Sequence, residues 1–106
     1  MMKIAFRTNG GANIGLGHVR RCLSLAQRLK LLGIKTYFIL NDDRVARDFM
    51  AAVGFDALSV KRKRDLDETK SFLRKWETDV LIADSYDFTT EYLGNLRKEL
   101  NYLIAI

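Results

Sequence analysis

The sequence lacks proline altogether, although average usage of ~5% predicts about five in a chain of this length. That excludes a proline-rich ligand, a stiff linker or a collagen-like strand. Cysteine is almost absent too. The single residue, Cys22, cannot close an internal disulfide, so nothing in it points to an oxidising compartment. There is one histidine, His18, and one His with one Cys does not make a zinc site. No apolar run approaches the ~20 residues of a membrane span. No basic stretch followed by an apolar one marks a signal peptide at the start. The expectation is a cytoplasmic protein with no membrane span and no metal.

What is present is ordinary globular material. The chain has 106 residues, 48% hydrophobic and 29% charged, enough for one domain and one core. Lys and Arg number 18 against 13 acids, a net charge of +5. Such a balance permits an anionic partner without choosing one.

Strand and helix patterns alternate along the chain. Residues 3–7 (KIAFR) read as a buried strand. A loop rich in Gly, Asn and Thr follows. Val19, Cys22, Leu23, Ala26, Leu29 and Leu32 recur at helical spacing over residues 17–32, with Gly33 at the C-cap. Residues 35–40 (KTYFIL) read as a second strand. Asn41 or Asp42 is the expected cap of a helix ending at Val53 and Gly54. Residues 56–60 form a weaker third strand. Asp65 is the expected cap of a helix carrying Leu66, Thr69, Leu73 and Trp76 on one face. Residues 79–83 (DVLIA) are apolar on both faces, as in a central parallel strand. Thr89 or Thr90 opens a helix striped by Tyr92, Leu93, Leu96 and Leu100. Residues 102–106 form a fifth strand.

Five strands alternating with four helices predict a Rossmann-like α/β three-layer sandwich with a parallel sheet ordered 3-2-1-4-5. In that order strands one and four meet at the topological switch point, where such sheets bind ligands. The fifth strand is apolar and should be buried on both faces. No helix follows it, so the chain reads as cut or as lacking a partner. The other reading is a complete minimal domain with an edge strand.

The richest segment is residues 9–21, NGGANIGLGHVRR, between the first strand and the first helix. Glycines let backbone approach a ligand, and the helix N-terminus favours an anion there. A Walker A loop needs Lys-Ser/Thr after its last glycine, and His18 stands there instead. The dinucleotide fingerprint needs a third glycine where Arg20 stands. Asp42 and Asp43 do lie where a ribose-binding acid belongs, which keeps that reading open. His18 lies in the first helical turn, where the dipole disfavours imidazolium, and a neutral imidazole suits a general base. After strand four comes Ala83-Asp84-Ser85-Tyr86-Asp87. Asp84 could orient a catalytic group or bind a hydroxyl, and Tyr86 could stack on a ligand. As bland alternatives the aspartates are turn residues and Tyr86 is a packing residue. Cys22 and Trp76 read as core.

Residues 2–7 (MKIAFR) with 14–26 (IGLGHVRRCLSLA) resemble the amino terminus of the UDP-sugar hydrolases of pseudaminic acid biosynthesis and the related spore-coat polysaccharide proteins. Residues 79–86 (DVLIADSY) resemble that family's second landmark, a strand ending in Asp-His-Tyr-Gly. The family is similar in fold to the MurG-type glycosyltransferases of the GT-B class. Ser85 and Asp87 stand where the family usually has His and Gly, and Asn9-Gly10-Gly11 replaces its Asp/Ser-rich loop. The resemblance implies the N-terminal half of a GT-B fold, with the nucleotide-binding C-terminal domain absent from this chain. It implies His18 and Tyr86 as active-site residues. Gly15, Gly17, Arg21 and Asp84 would contribute to substrate binding. The implied reaction is hydrolysis of a UDP-linked amino-deoxy sugar for surface polysaccharide or nonulosonic acid synthesis, with no cofactor. A homo-oligomer stays open. The alternatives are a GT-B glycosyltransferase, in which His18 deprotonates an acceptor, and a binding domain without catalysis. Lys61-Arg62-Lys63-Arg64 could contact nucleic acid, but without interleaved aromatic residues it reads as a solvated loop, so no nucleic-acid partner is expected.

Overall fold

The structure is a computed structural model and describes residues 2–106. The elements in chain order are β1 (Lys3–Thr8), α1 (Gly17–Leu31), β2 (Lys35–Asn41), α2 (Arg44–Val53), β3 (Ala57–Val60), α3 (Asp65–Lys75), β4 (Val80–Asp84), α4 (Thr90–Arg97) and β5 (Tyr102–Ala105). A 3-10 turn, Arg62–Arg64, precedes α3.

All strand pairs are parallel and the order is β3-β2-β1-β4-β5, as the alternation predicts. The pleat of β1 divides the core. Ile4 and Phe6 face α1 and α2, where they meet Val19, Cys22, Ala26 and Met50. Ala5 faces α3 and α4, with Leu73, Leu81 and Leu96. Phe6 stacks on Phe38 with ring centroids 5.0 Å apart. Every residue of β4 is buried, so both of its faces are covered.

Three local expectations need correction. The cap of α2 is Asp43, whose carboxylate accepts from the Ala46 amide, and neither Asn41 nor Asp42. Asn41 instead grips Gly10, accepting from its amide and donating to its carbonyl, each at 2.9 Å. Asp65 is not the cap of α3 but its first helical residue, because its carboxylate is taken by Arg7 and Tyr92. β5 is largely exposed rather than buried on both faces, since it is the edge of the sheet. Gly33 and Gly54 have φ of 79° and 78°, the left-handed conformation that ends α1 and α2.

Candidate functional site at the β1–β4 switch point

Thr8 and Asp84 are register partners at the C-terminal ends of β1 and β4. The Thr8 hydroxyl donates to the Asp84 carbonyl at 2.9 Å and ties the two strand ends together. The Asp84 side chain then points toward the first turn of α1. That turn has no acidic residue and no side-chain cap. Asp84, 1% exposed, supplies from the neighbouring strand the negative charge that the helix N-terminus favours.

Three side chains of α1 converge on this carboxylate. Arg21 donates from Nε to Oδ2 at 2.8 Å and from Nη2 to Oδ1 at 2.7 Å, a two-point fork. His18 Nδ1 lies 2.8 Å from Oδ1. The Cys22 thiol is 3.7 Å from Oδ2. The spacing 18, 21, 22 is one helical face, so the motif presents all three groups to one acceptor. Burial alone pushes the Asp84 carboxyl up, but the hydrogen bonds and charges of Arg21 and His18 outweigh it and hold it below the usual carboxylate value. Arg21 is raised in return by its hydrogen bond to Asp84. Cys22 is driven up to about 12, first by burial and then by the Asp84 charge, so it is a protonated core thiol and not a nucleophile.

An ionised carboxylate only accepts, so the His18 nitrogen facing it carries the proton. That tautomer leaves Nε2 as the acceptor of the pair. His18 is 17% exposed at its side chain, so the ring is reachable while one edge is held. The Tyr86 ring stands edge-on to it, with centroids 4.8 Å apart and planes at 82°. Tyr86 is itself 92% exposed.

The glycines of the loop separate into two kinds. Gly10 and Gly11 are required by the protein's own packing. A Cβ on Gly10 would sit 2.6 Å from a Val19 methyl, and one on Gly11, at φ +147°, would sit 2.2 Å from the Asp43 carboxylate. Gly11 and Gly15 exchange backbone hydrogen bonds at 3.0 and 2.8 Å and close a small turn with Ile14 exposed at its tip. Gly15 and Gly17 have nothing within 4 Å of a Cβ. Both are exposed, and Gly15, at φ 76°, serves the backbone of the turn. Asp43 accepts from the Ala46 amide as the α2 cap and packs against Gly11, and Asp42 pairs with Arg47 at the surface. Arg20 lies over Phe49, 5.7 Å from its ring centre. Lys61 to Arg64 are exposed.

On the opposite face of the sheet lies a network that sequence reasoning missed. Arg7 is 1% exposed, yet every donor it directs inward is used. It donates to Tyr92 Oη at 3.1 Å, the Thr8 carbonyl at 2.7 Å, Asn9 Oδ1 at 2.8 Å and Asp65 Oδ2 at 2.6 Å. The Phe88 ring covers its guanidinium at 5.0 Å. Asn9 passes the constraint on, donating to Ser85 Oγ at 3.1 Å. Asn9 and Ser85, two of the positions that depart from the resembled family, therefore bond to each other and link the loops after β1 and β4. The available signal was Arg7 itself, a charged residue at a position where the strand alternation points inward. An open crevice of about 800 Å³ lies beside this network, with Asn41, Arg62, Asp87 and Phe88 on its walls.

Among the described residues no three His, Cys, Asp or Glu side chains group closely enough to hold a metal ion, and no helix is long and apolar enough to cross a membrane. No known protein-family profile matches the chain. Over 105 residues it is 29% identical to an uncharacterized protein of Methanocaldococcus jannaschii, an alignment covering 97% of this chain and 21% of that protein. The chain thus spans about a fifth of the length of the curated relative it matches.

Proposed function

We propose that this domain is the sugar-side wall of a nucleotide-sugar hydrolase, with His18 as the base that activates water. The observation that carries the reading is the Asp84–His18 pair. A buried carboxylate, itself clamped by Arg21, orients an imidazole that directly follows the exposed glycines Gly15 and Gly17 and keeps 17% of its side chain open to solvent. Water held by Nε2 would attack the anomeric carbon. The proton passes to His18 and the nucleoside diphosphate leaves with the bonding electrons. The uncapped first turn of α1 offers backbone donors to negative charge, and Tyr86 presents a ring and a hydroxyl to the sugar. The resemblance of residues 14–26 and 79–86 to UDP-sugar hydrolases supports a UDP-linked amino-deoxy sugar as the substrate. In this proposal the opposite wall, which holds the nucleotide, belongs to a second domain of GT-B type.

The test is UDP release from a cleavable UDP-sugar by a two-domain protein containing this chain. His18→Ala should slow release by about 10²–10⁴-fold. Release at the unaltered rate sinks the reading. Free sugar as the product means hydrolysis, whereas a new glycoside means transfer.

A further inference from the structure

The end of the sheet where the strands begin has a chemistry of its own. The first 41 residues carry seven of the 18 basic residues and none of the 13 acidic ones. Four of those seven, Lys3, Arg28, Lys30 and Lys35, lie at this end, on the start of β1, the last turns of α1 and the start of β2. None of the four makes an ion pair among the described residues. Lys3, Lys30 and Lys35 line one open cavity of about 510 Å³, with Trp76 and Phe55 in its wall and Asp56 as its one acid. Beside it α1 ends on Leu31 and Leu32, which are 84% and 74% exposed. Only Arg28 joins these two leucines around a shallow notch of about 300 Å³. Leu25, one to two turns back on the same helix, is 39% exposed. Two adjacent, almost bare leucines, with Arg28 in their notch and Lys30, its ammonium over the Phe55 ring, next to them in sequence, are not an ordinary scatter of surface apolar residues.

We propose that this end of the domain docks on an anionic phospholipid surface. The leucines would enter the boundary between headgroups and acyl chains. Arg28, Lys30 and Lys35 would keep their charges among the phosphates while their stems lie along the apolar layer. The charge distribution disfavours a second copy of the chain on the same patch, because two such patches repel. A nucleic acid would use the cations and leave the leucines in water. A lipid surface uses both. α1 is 15 residues long, roughly 22 Å, with His18 in its first turn and the leucines at its other end. Docking by the leucines therefore turns His18 away from the bilayer. The proposal stands independently of the reaction assigned to His18.

The test is cosedimentation of the chain with vesicles of phosphatidylcholine plus phosphatidylglycerol, and with phosphatidylcholine alone, at low and at high salt. Binding to the anionic vesicles, falling steeply with salt, is expected. Leu31→Ser with Leu32→Ser should weaken it about tenfold or more. Lys30→Glu with Lys35→Glu should abolish it, and this pair carries the test should the leucine variant lose its helical circular dichroism. Equal binding to neutral vesicles overturns the proposal, as does no binding at low salt. Tighter binding to duplex DNA than to vesicles overturns it in favour of a nucleic-acid surface. A concentration-dependent dimer abolished by the leucine substitutions overturns it in favour of self-association.

Discussion

The strand ends of the parallel sheet and the α1 side of the strand starts treat charge in opposite ways. Where the strands finish, buried or half-buried ionic groups meet several partners. Asp84 binds Arg21 and His18, and Arg7 binds Asp65, Tyr92 and Asn9. Where the strands begin, Arg74 and Glu99 form a forked pair beside α3 and α4, but on the α1 side Lys3, Lys30 and Lys35 stand without ion pairs and Leu31 and Leu32 face solvent. Satisfying a buried charge fixes geometry, which suits chemistry on a bound molecule. Leaving cations and apolar groups unsatisfied in water suits a surface that another body completes. The same helix serves both ends.

The largest effect should come from unsettling the finished end. Asp84→Asn keeps the shape but removes the charge that holds His18 Nδ1–H. The wrong tautomer then becomes accessible, and turnover by the proposed two-domain hydrolase should fall by about 10³-fold or more. The only histidine of the chain gives an unambiguous imidazole signal by nuclear magnetic resonance. That signal should move in Asp84→Asn and stay put in Leu31→Ser. Movement of equal size in both would erase the distinction between the ends.

Next in size is stability. Arg7→Met strands Asp65 and Tyr92 beside each other without their cation and should cost about 3–5 kcal/mol in urea unfolding. Adding Asp65→Leu should recover part of that loss, because an apolar pair replaces an orphaned charge. Burial holds the Tyr92 hydroxyl up near 12, so it stays a donor to Asp65 across the ordinary pH range. Acid should act on Asp84 in one direction. Its native pKa is below the unfolded value of 3.8, so its contribution is complete above that value and is lost as pH falls through the native one. Urea midpoints measured below pH 4 should therefore drop more for the wild type than for Asp84→Asn.

How much of this was legible without coordinates differs between the ends. The strand order followed from alternation and the handedness of crossovers, and it brought His18 and Asp84 together. The resembled Gly-His-x-x-Arg motif singled out His18 and Arg21, while Cys22 was read only as core and its contact with Asp84 went unseen. Caps were harder, because Asn41, Asp42 and Asp43 are all capable and only tertiary contacts choose between them. Asn41 was drawn to Gly10 across the loop, and the carboxylate of Asp43 to its own helix. Asp65 looked like a local cap, but the stronger demand came from Arg7, 58 residues away. Local propensity cannot register a partner at that distance. At the other end Leu32 was read into the apolar stripe of α1 yet is 74% exposed, and the lysines were unreadable for a different reason. Each is ordinary alone, and only the fold places Lys3, Lys30 and Lys35 around one cavity.

Within the loop, Gly11 and Gly17 repeat the contrast on a smaller scale. Gly11→Ala meets Asp43 and a left-handed backbone at once, and should cost roughly 1–3 kcal/mol. Gly17→Ala meets nothing and sits at the start of a helix, so its stability should change by less than about 0.5 kcal/mol. In the proposed hydrolase its effect should appear as a raised KM, because the methyl is added on the exposed residue next to His18. An unchanged KM would mean that the ligand does not approach along the glycines.

The smallest expected effect is at the other end. Leu31→Ser and Leu32→Ser remove side chains that are almost wholly in water already, so unfolding free energy should shift by no more than about 0.5 kcal/mol. A loss of several kcal/mol would mean the leucines belong to the core, and the two ends would not differ as described. No loss of stability together with loss of vesicle binding would separate the roles cleanly. α1 would then be one helix with a first turn selected for geometry and a last turn selected for what it touches.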